Sequence, residues 1–294
     1  MLKPKQLAVL LALIMFPFAV AIAGVSYGVE PDIIRITAPA GSTQSGVIKF
    51  YTRSPQSAKV KVYAADWLYT DKYDGVRAFY PAKSTALSCA DWIVFNPSSF
   101  IIPPYEVGIL NYTVNIPKDA KGGHYAVIFF ETSSVTPAEM PSAAGQQGVQ
   151  SSIRLQLRLG AFFYIEAKGT VKRAVDLEAI SLSKVLKRDN YILSCGLKNT
   201  GNADALTSGT FHILDNNGKI ITRGKFRNNY TMPGDKTELK GEYKNALPKG
   251  KYDLVFTLRL SGGAEGKRGG RPFTKEAEIE IGENGELVSS GKFK

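Results

Sequence analysis

Short runs in which apolar and polar residues alternate, enriched in β-branched and aromatic side chains, recur roughly every 10 to 15 residues along this chain, with turn clusters between them. A strand points successive side chains to opposite faces, so each run can bury one face while water wets the other. Strands are expected at Ile33 to Ile36, Ser45 to Thr52, Ala58 to Trp67, Trp92 to Phe95, Phe100 to Ile102, Gly108 to Ile116 and Gly123 to Glu131. Asp71 to Gly75 and Pro117 to Gly123 read as turns or loops. Thr132 to Gln150, rich in Ser, Pro, Ala, Gly and Gln, breaks the pattern and reads as a long loop. Beyond it, Ser152 to Leu159 alternates strictly, with Ile153, Leu155, Leu157 and Leu159 on one face and Arg154, Gln156 and Arg158 on the other. A slip of one residue would turn every one of these side chains to the wrong side, so the register is well set. The run continues through Gly160 into Ala161-Phe162-Phe163-Tyr164-Ile165.

A polar stretch from Lys168 to Ala174 precedes a second series of runs, which begins at Val175-Asp176-Leu177. It includes Tyr191 to Leu197, Gly209 to Asp215, Lys219 to Gly224, Lys236 to Tyr243, Asp253 to Leu260 and Phe273 to Ile281. Asn199-Thr200-Gly201-Asn202 suits a turn that needs a positive φ, and Asn216-Asn217-Gly218 reads as the turn before Lys219. About seven strands per unit, with no amphipathic helix of useful length, is the pattern of an immunoglobulin-like sandwich. The expected fold class is therefore all-β, with two immunoglobulin-like antiparallel β-sandwich domains at residues 24–170 and 171–285 and a C-terminal tail at 286–294.

The first residues differ in character. Lys3 and Lys5 precede an apolar run from Leu7 to Val20, and Ala21-Ile22-Ala23 follows. A short basic start, an apolar core and small residues before Gly24 predict a cleavable signal peptide at residues 1–23, and so an exported chain. The apolar run, about 14 residues, is shorter than the roughly 20 that a spanning helix needs, and no later stretch is better suited. No transmembrane anchor is expected after cleavage.

The formal net charge of +11 falls by two when Lys3 and Lys5 depart. The remaining basic residues are spread out, apart from Lys267-Arg268 and Arg271 among glycines. That spread reads as a solvated basic surface, and no nucleic-acid partner is expected. Cys89 and Cys195 fall in different expected domains, and pairing them would require Cα atoms within about 7 Å; two separate buried thiols are expected. With only these and His124 and His212, no spaced metal-ligand motif exists, and neither metal nor cofactor is expected. No Ser, Cys or Thr lies in a nucleophile-elbow context, and Gly262-Gly263 and Gly269-Gly270 lack the frame of a phosphate-binding loop. Trp67, Trp92, Tyr63, Tyr69, Tyr73 and Tyr80 are expected to fill a sandwich core rather than form a sugar platform. Binding, not catalysis, is the expectation.

Certain pieces are more specific. Val60 to Trp67 ends in Asp66-Trp67, and Asp74-Gly75 follows; then come Trp92 to Pro104, containing Asn96-Pro97-Ser98-Ser99-Phe100, and the stretch from Ile116-Pro117 to Gly123-His124-Tyr125. In this order, over about residues 30 to 170, they resemble the N-terminal domain of the periplasmic pilus-assembly chaperone superfamily, especially its divergent members. They are also similar to the peptidoglycan-binding domain of WxL surface proteins of Gram-positive bacteria.

The chaperone resemblance implies that the last strand of the first domain is lent to a client lacking one. Main-chain hydrogen bonds would give affinity, and every second side chain specificity. The matching residues are Ile153, Leu155, Leu157 and Leu159; the alternative is that these fill their own domain's core. It also implies a basic pair in the interdomain cleft that anchors the client's terminal carboxylate. Arg35 matches one member by position. The other, a lysine just ahead of an aromatic pair, falls on Ala161 in a gapless reading, with Arg158 or Arg154 as substitutes only in a different register. The expected function is thus a periplasmic chaperone-like protein that binds an exported polypeptide or pilus-type subunit. The alternative is a secreted structural or adhesive module that binds cell-wall polymer through its basic face.

Overall fold

The computed structural model describes residues 26–134, 156–185, 190–262 and 270–294; the expected signal peptide, Ile153 and Leu155 lie outside them. The first part of the chain forms β1 (Tyr27–Glu30), β2 (Ile33–Ala38), β3 (Thr43–Thr52), β4 (Ala58–Tyr69), β5 (Arg77–Pro81), β6 (Ile93–Asn96), β7 (Ser99–Ile102), β8 (Val107–Asn115), β9 (Gly123–Ser134) and β10 (Leu157–Ala167). One sheet has the order β1-β3-β8-β6 and the other β2-β10-β9-β4-β5, with β7 beside one end of β4. Their facing sides bury Ile48, Phe50, Leu110 and Val114 against Val60, Ile128, Phe130, Phe163 and Ile165. The period of two dictates this: even positions of β4 and β9 and odd positions of β10 point inward.

The second sandwich contains β11 (Val175–Lys184), β12 (Asn190–Asn199), β13 (Ala205–Leu214), β14 (Ile220–Lys225), β15 (Asn229–Thr231), β16 (Lys236–Lys244), β17 (Gly250–Ser261), β18 (Phe273–Ile281) and β19 (Leu287–Ser290). A β11-β12-β16 sheet faces a β14-β13-β17-β18-β19 sheet, with β15 beside β13. Leu193, Cys195, Leu197, Phe211, Leu239, Leu254 and Phe256 fill the space between. The chain is therefore two β-sandwiches, as its alternation requires. Both thiols are free and buried, Cys89 in the first core and Cys195 in the second.

Several details depart from expectation. Strand β9 runs on to Ser134, so Thr132–Ser134 pair with β4 and are not loop. Residues 286–294 do not trail as a tail: β19 pairs with β18, and Phe293 packs against the second core. The short strands β1, β5 and β15 carry too few residues to show alternation. None of Asn199, Thr200, Gly201 and Asn202 takes a positive φ, whereas Gly218 does. Glycine is needed at 201 because a Cβ there would lie 2.4 Å from the Lys172 carbonyl oxygen; the constraint is a close approach of backbones, not a left-handed turn.

Candidate functional site

The odd positions of β4 and β9 and the even positions of β10 point away from the first core. A surface strand face would ordinarily be polar there. Here it carries Tyr63, Trp67 and Tyr69 from β4, Tyr125, Val127 and Phe129 from β9, and Phe162 and Tyr164 from β10. Trp67 is therefore no filler between the sheets, which corrects the expectation from sequence. It is fully buried on the outer face, among the rings of Tyr69, Tyr125, Phe162 and Tyr164 at 5.0–5.9 Å, and its Nε1 donates to the Ala126 carbonyl at 3.0 Å. Tyr80, also expected in a core, is exposed.

Three arginines are interleaved with these rings. The Arg158 guanidinium lies 4.5 Å from the Phe129 centroid and 5.5 Å from that of Phe79. Arg77, from β5, lies 4.3 Å over Phe162 and 5.2 Å over Trp67, and its Nη2 donates to the Tyr164 hydroxyl at 2.9 Å. Arg35, from β2, lies 4.6 Å over the opposite partner in this stack, the Tyr164 ring. Stacking on aromatic faces suits the flat guanidinium and leaves its edge donors free. Among the described residues no carboxylate lies within ion-pair distance of Arg35 or Arg77, and the buried Nε of Arg77 has no hydrogen-bond partner. Two positive charges thus flank Tyr164 without a counter-ion among the described residues, an arrangement suited to an anion.

The second sandwich closes one side of this face. Met232 and Tyr230 join the aromatic cluster, the Tyr230 ring lying 5.4 Å from Tyr69. Below them, Tyr125 donates its hydroxyl proton to Asp204 Oδ1 at 3.2 Å and accepts the Asp204 amide at 2.6 Å. Arg173, on the connection between the sandwiches, bonds the Asp204 carbonyl through Nε at 2.8 Å and pairs with the carboxylates of Asp204, at 3.1 Å, and of Glu166. Burial by itself would lower the pKa of Arg173, but Asp204 and Glu166 outweigh it and hold the pKa above its ordinary value. Burial, reinforced by Asp204, pushes Tyr125 well up. The Asn202 turn completes the junction: its carbonyl accepts from Gly123 N, its Oδ1 from Lys172 N, and its Nδ2 donates to Thr170 O. A Cβ at Gly262 would lie 3.2 Å from Arg35 Nη1 and 2.9 Å from Arg173 Nη2, so the Arg35 guanidinium reaches the second sandwich, at the mouth of the cleft.

Beside the cleft, β10 is only half covered. Its residues Phe162 to Ala167 lie between β2 and β9, whereas Leu157 to Ala161 pair with β9 alone. Leu157 N bonds Thr132 Oγ1 on the β9 side, and Phe162 N bonds Asp32 O on the β2 side. By alternation the N–H and C=O of Arg158 and Gly160 face the β2 side, where no strand among the described residues is paired with them, although β1 passes nearby on its way to β2. They form an open sheet edge. The expected binding residues therefore divide. Leu157 and Leu159 are half-buried, with Leu159 packed on the first core, while Arg158 and Arg35 stand on the aromatic outer face. Arg77 has no place in the expectation from sequence. Nothing in its spacing signals that it meets Tyr164, which lies far along the chain on another strand.

The His124 ring lies tilted beside that of Trp92, with centroids 4.3 Å apart, and burial lowers its pKa. Among the described residues no cluster of three or more His, Cys, Asp or Glu side chains could hold a metal ion, and no helix is long and apolar enough to cross a membrane.

No family model and no curated protein matches the chain. Among solved structures, the class 5 fimbriae chaperone CfaA aligns with 85% of this chain and 98% of its own at 12% identity, with a TM-score of 0.47. A chain of the CsuC–CsuE chaperone–tip adhesion subunit pre-assembly complex from archaic chaperone-usher Csu pili of Acinetobacter baumannii aligns with 85% of this chain and 97% of its own, at 12% identity and a TM-score of 0.42. A chain of the Salmonella enterica SafA pilin in complex with the SafB chaperone aligns with 87% and 97%, at 14% identity and a TM-score of 0.39.

Proposed function

We propose that this chain is a non-catalytic, exported binding protein of the periplasm that holds an exported polypeptide, of the pilus-subunit type, by adding the client's strand to the open edge of β10. The observation that carries this reading is the pair of guanidiniums of Arg35 and Arg77, which have no counter-ion among the described residues, on Tyr164 in the same strand as that edge. A client strand lying along Arg158 and Gly160 would satisfy their main-chain groups, and its terminal carboxylate would reach Arg35 and Arg77. Arg77 then supplies the second base that a gapless reading of the sequence leaves at Ala161. The leucine face of the donated segment continues through Leu157 and Leu159, whose half-burial leaves part of each side chain for a client.

The test compares a short synthetic peptide of alternating apolar residues that ends in a free carboxylate with the same peptide amidated. A charge-assisted hydrogen bond contributes about 1.5 to 3 kcal/mol, so amidation, or Arg77→Gln, is expected to weaken binding roughly 10- to 100-fold by calorimetry. Arg77→Lys retains the charge but not the planar fork, and an intermediate loss is expected. Equal affinity for the acid and the amide, with the chain folded, would remove the carboxylate-anchor reading.

A further inference from the structure

A second place for a strand lies in the other sandwich, where its two sheets are pinched together at one end of an edge and splayed at the other. At the pinch, Phe226 bridges Gly241, and Arg227 N donates to Lys240 O at 2.9 Å. A Cβ at Gly224 would lie 2.6 Å from Glu242 O and 2.4 Å from the Phe211 ring; one at Gly241 would lie 3.1 Å from Lys225 O and 2.6 Å from the same ring. Glycine on both strands is what lets β14 and β16 approach over Phe211. Beyond this point no bridge joins them among the described residues, and a groove of about 620 Å³ opens, lined by Ile220, Ile221, Arg223, Tyr243 and Lys244 among others.

Both walls of the groove are strand edges. The carbonyls of Lys225 and Glu242 point across the pinch, so by alternation the main-chain groups of Arg223 and Lys244 face the groove as well. Its floor is apolar: Tyr243 is buried, and Ile220 and Ile221 are 50% and 41% exposed. Its rim is basic. Arg223 and Lys244 line it, Lys219 and Lys225 adjoin it along β14, and none of the four forms an ion pair among the described residues, while the lining Glu242 is already held by Arg227 at 2.6 Å. We infer that this groove takes an extended acidic segment of a partner polypeptide as an added strand, with apolar residues on the isoleucines and carboxylates between them facing the basic rim. The inference is independent of the cleft beside β10.

The test is amide NMR of the full chain titrated with a short peptide of alternating valine and glutamate, and with its valine–lysine counterpart. Shifts are expected at Ile220 to Lys225 and Glu242 to Lys244 with the acidic peptide, with affinity at least about tenfold weaker for the lysine peptide. The exposed double variant Arg223→Glu, Lys244→Glu should weaken the acidic peptide by a similar factor, its fold verified by the same spectrum. Equal binding of both peptides, shifts confined to the β10 cleft, no shifts at all, or concentration-dependent shifts at these residues without peptide, which would make a second copy the occupant, would each overturn it.

Discussion

Replacing Asp204 with alanine is expected to lower the unfolding free energy by about 3 kcal/mol, because the change removes a buried carboxylate shared by the Tyr125 hydroxyl and the half-buried Arg173 guanidinium. Asp204 is fully buried, and its side chain joins Tyr125 of the first sandwich to Arg173 of the connection. Without it, Arg173 keeps only Glu166 as a carboxylate partner, and the Tyr125 hydroxyl loses its acceptor. Both groups lie where water reaches them poorly, so the loss is dominated by groups left unmatched rather than by the attraction removed. The variant should also uncouple the sandwiches, turning a shared denaturant transition into two. Asp204→Asn, which keeps an acceptor, should lose less. A loss below about 1 kcal/mol would mean that the bridge behaves as an exposed surface pair.

Trp67→Ala should have an effect of the same order, about 3 to 5 kcal/mol, the usual cost of emptying a buried aromatic site. Four rings surround the indole, and Arg77 rests on it. The cavity would lie between the first sandwich and Met232 of the second, not within either core. The two intersheet cores should therefore survive, with near-native far-ultraviolet dichroism, while the melting temperature falls and Arg77 loses its platform. Trp67→Phe should recover part of the loss. A melting temperature within a degree or so of the unmodified chain's would contradict the placement of Trp67 as a keystone of the outer face.

Both effects arise where sequence reading is least informative. Alternation located β3, β8 and β10, because each has one apolar and one polar or small face for much of its length; β9, which buries Ile128 and Phe130 on one face and Tyr125, Val127 and Phe129 on the other, was located by its β-branched and aromatic enrichment instead. Alternation could not orient β4, whose two faces are both apolar: Val60 and Val62 point to the core, while Tyr63, Ala65 and Trp67 point away. An aromatic outer face arises only when something covers it. Here the second sandwich does so in part, through residues that no local pattern connects to Trp67. Arg35 was legible through resemblance, since its place on an early strand is fixed by order along the chain. Arg77 was not, because its role depends on β5 lying next to β4 and on the reach of a long side chain to Tyr164. The glycine requirement at 201 was visible but its cause was not: a positive φ and a close backbone approach leave the same residue in the sequence.

Client binding by strand addition requires that the edge of β10, unpaired among the described residues, be open in the isolated protein and filled in the complex. Hydrogen–deuterium exchange of the Arg158 and Gly160 amides, with and without the free-carboxylate peptide, tests this most directly. Both amides should exchange quickly in the isolated chain and become strongly protected on binding, with neighbouring Leu159, already bonded to β9, changing little. Saturating peptide that leaves Arg158 and Gly160 exchanging as before would contradict strand addition at β10.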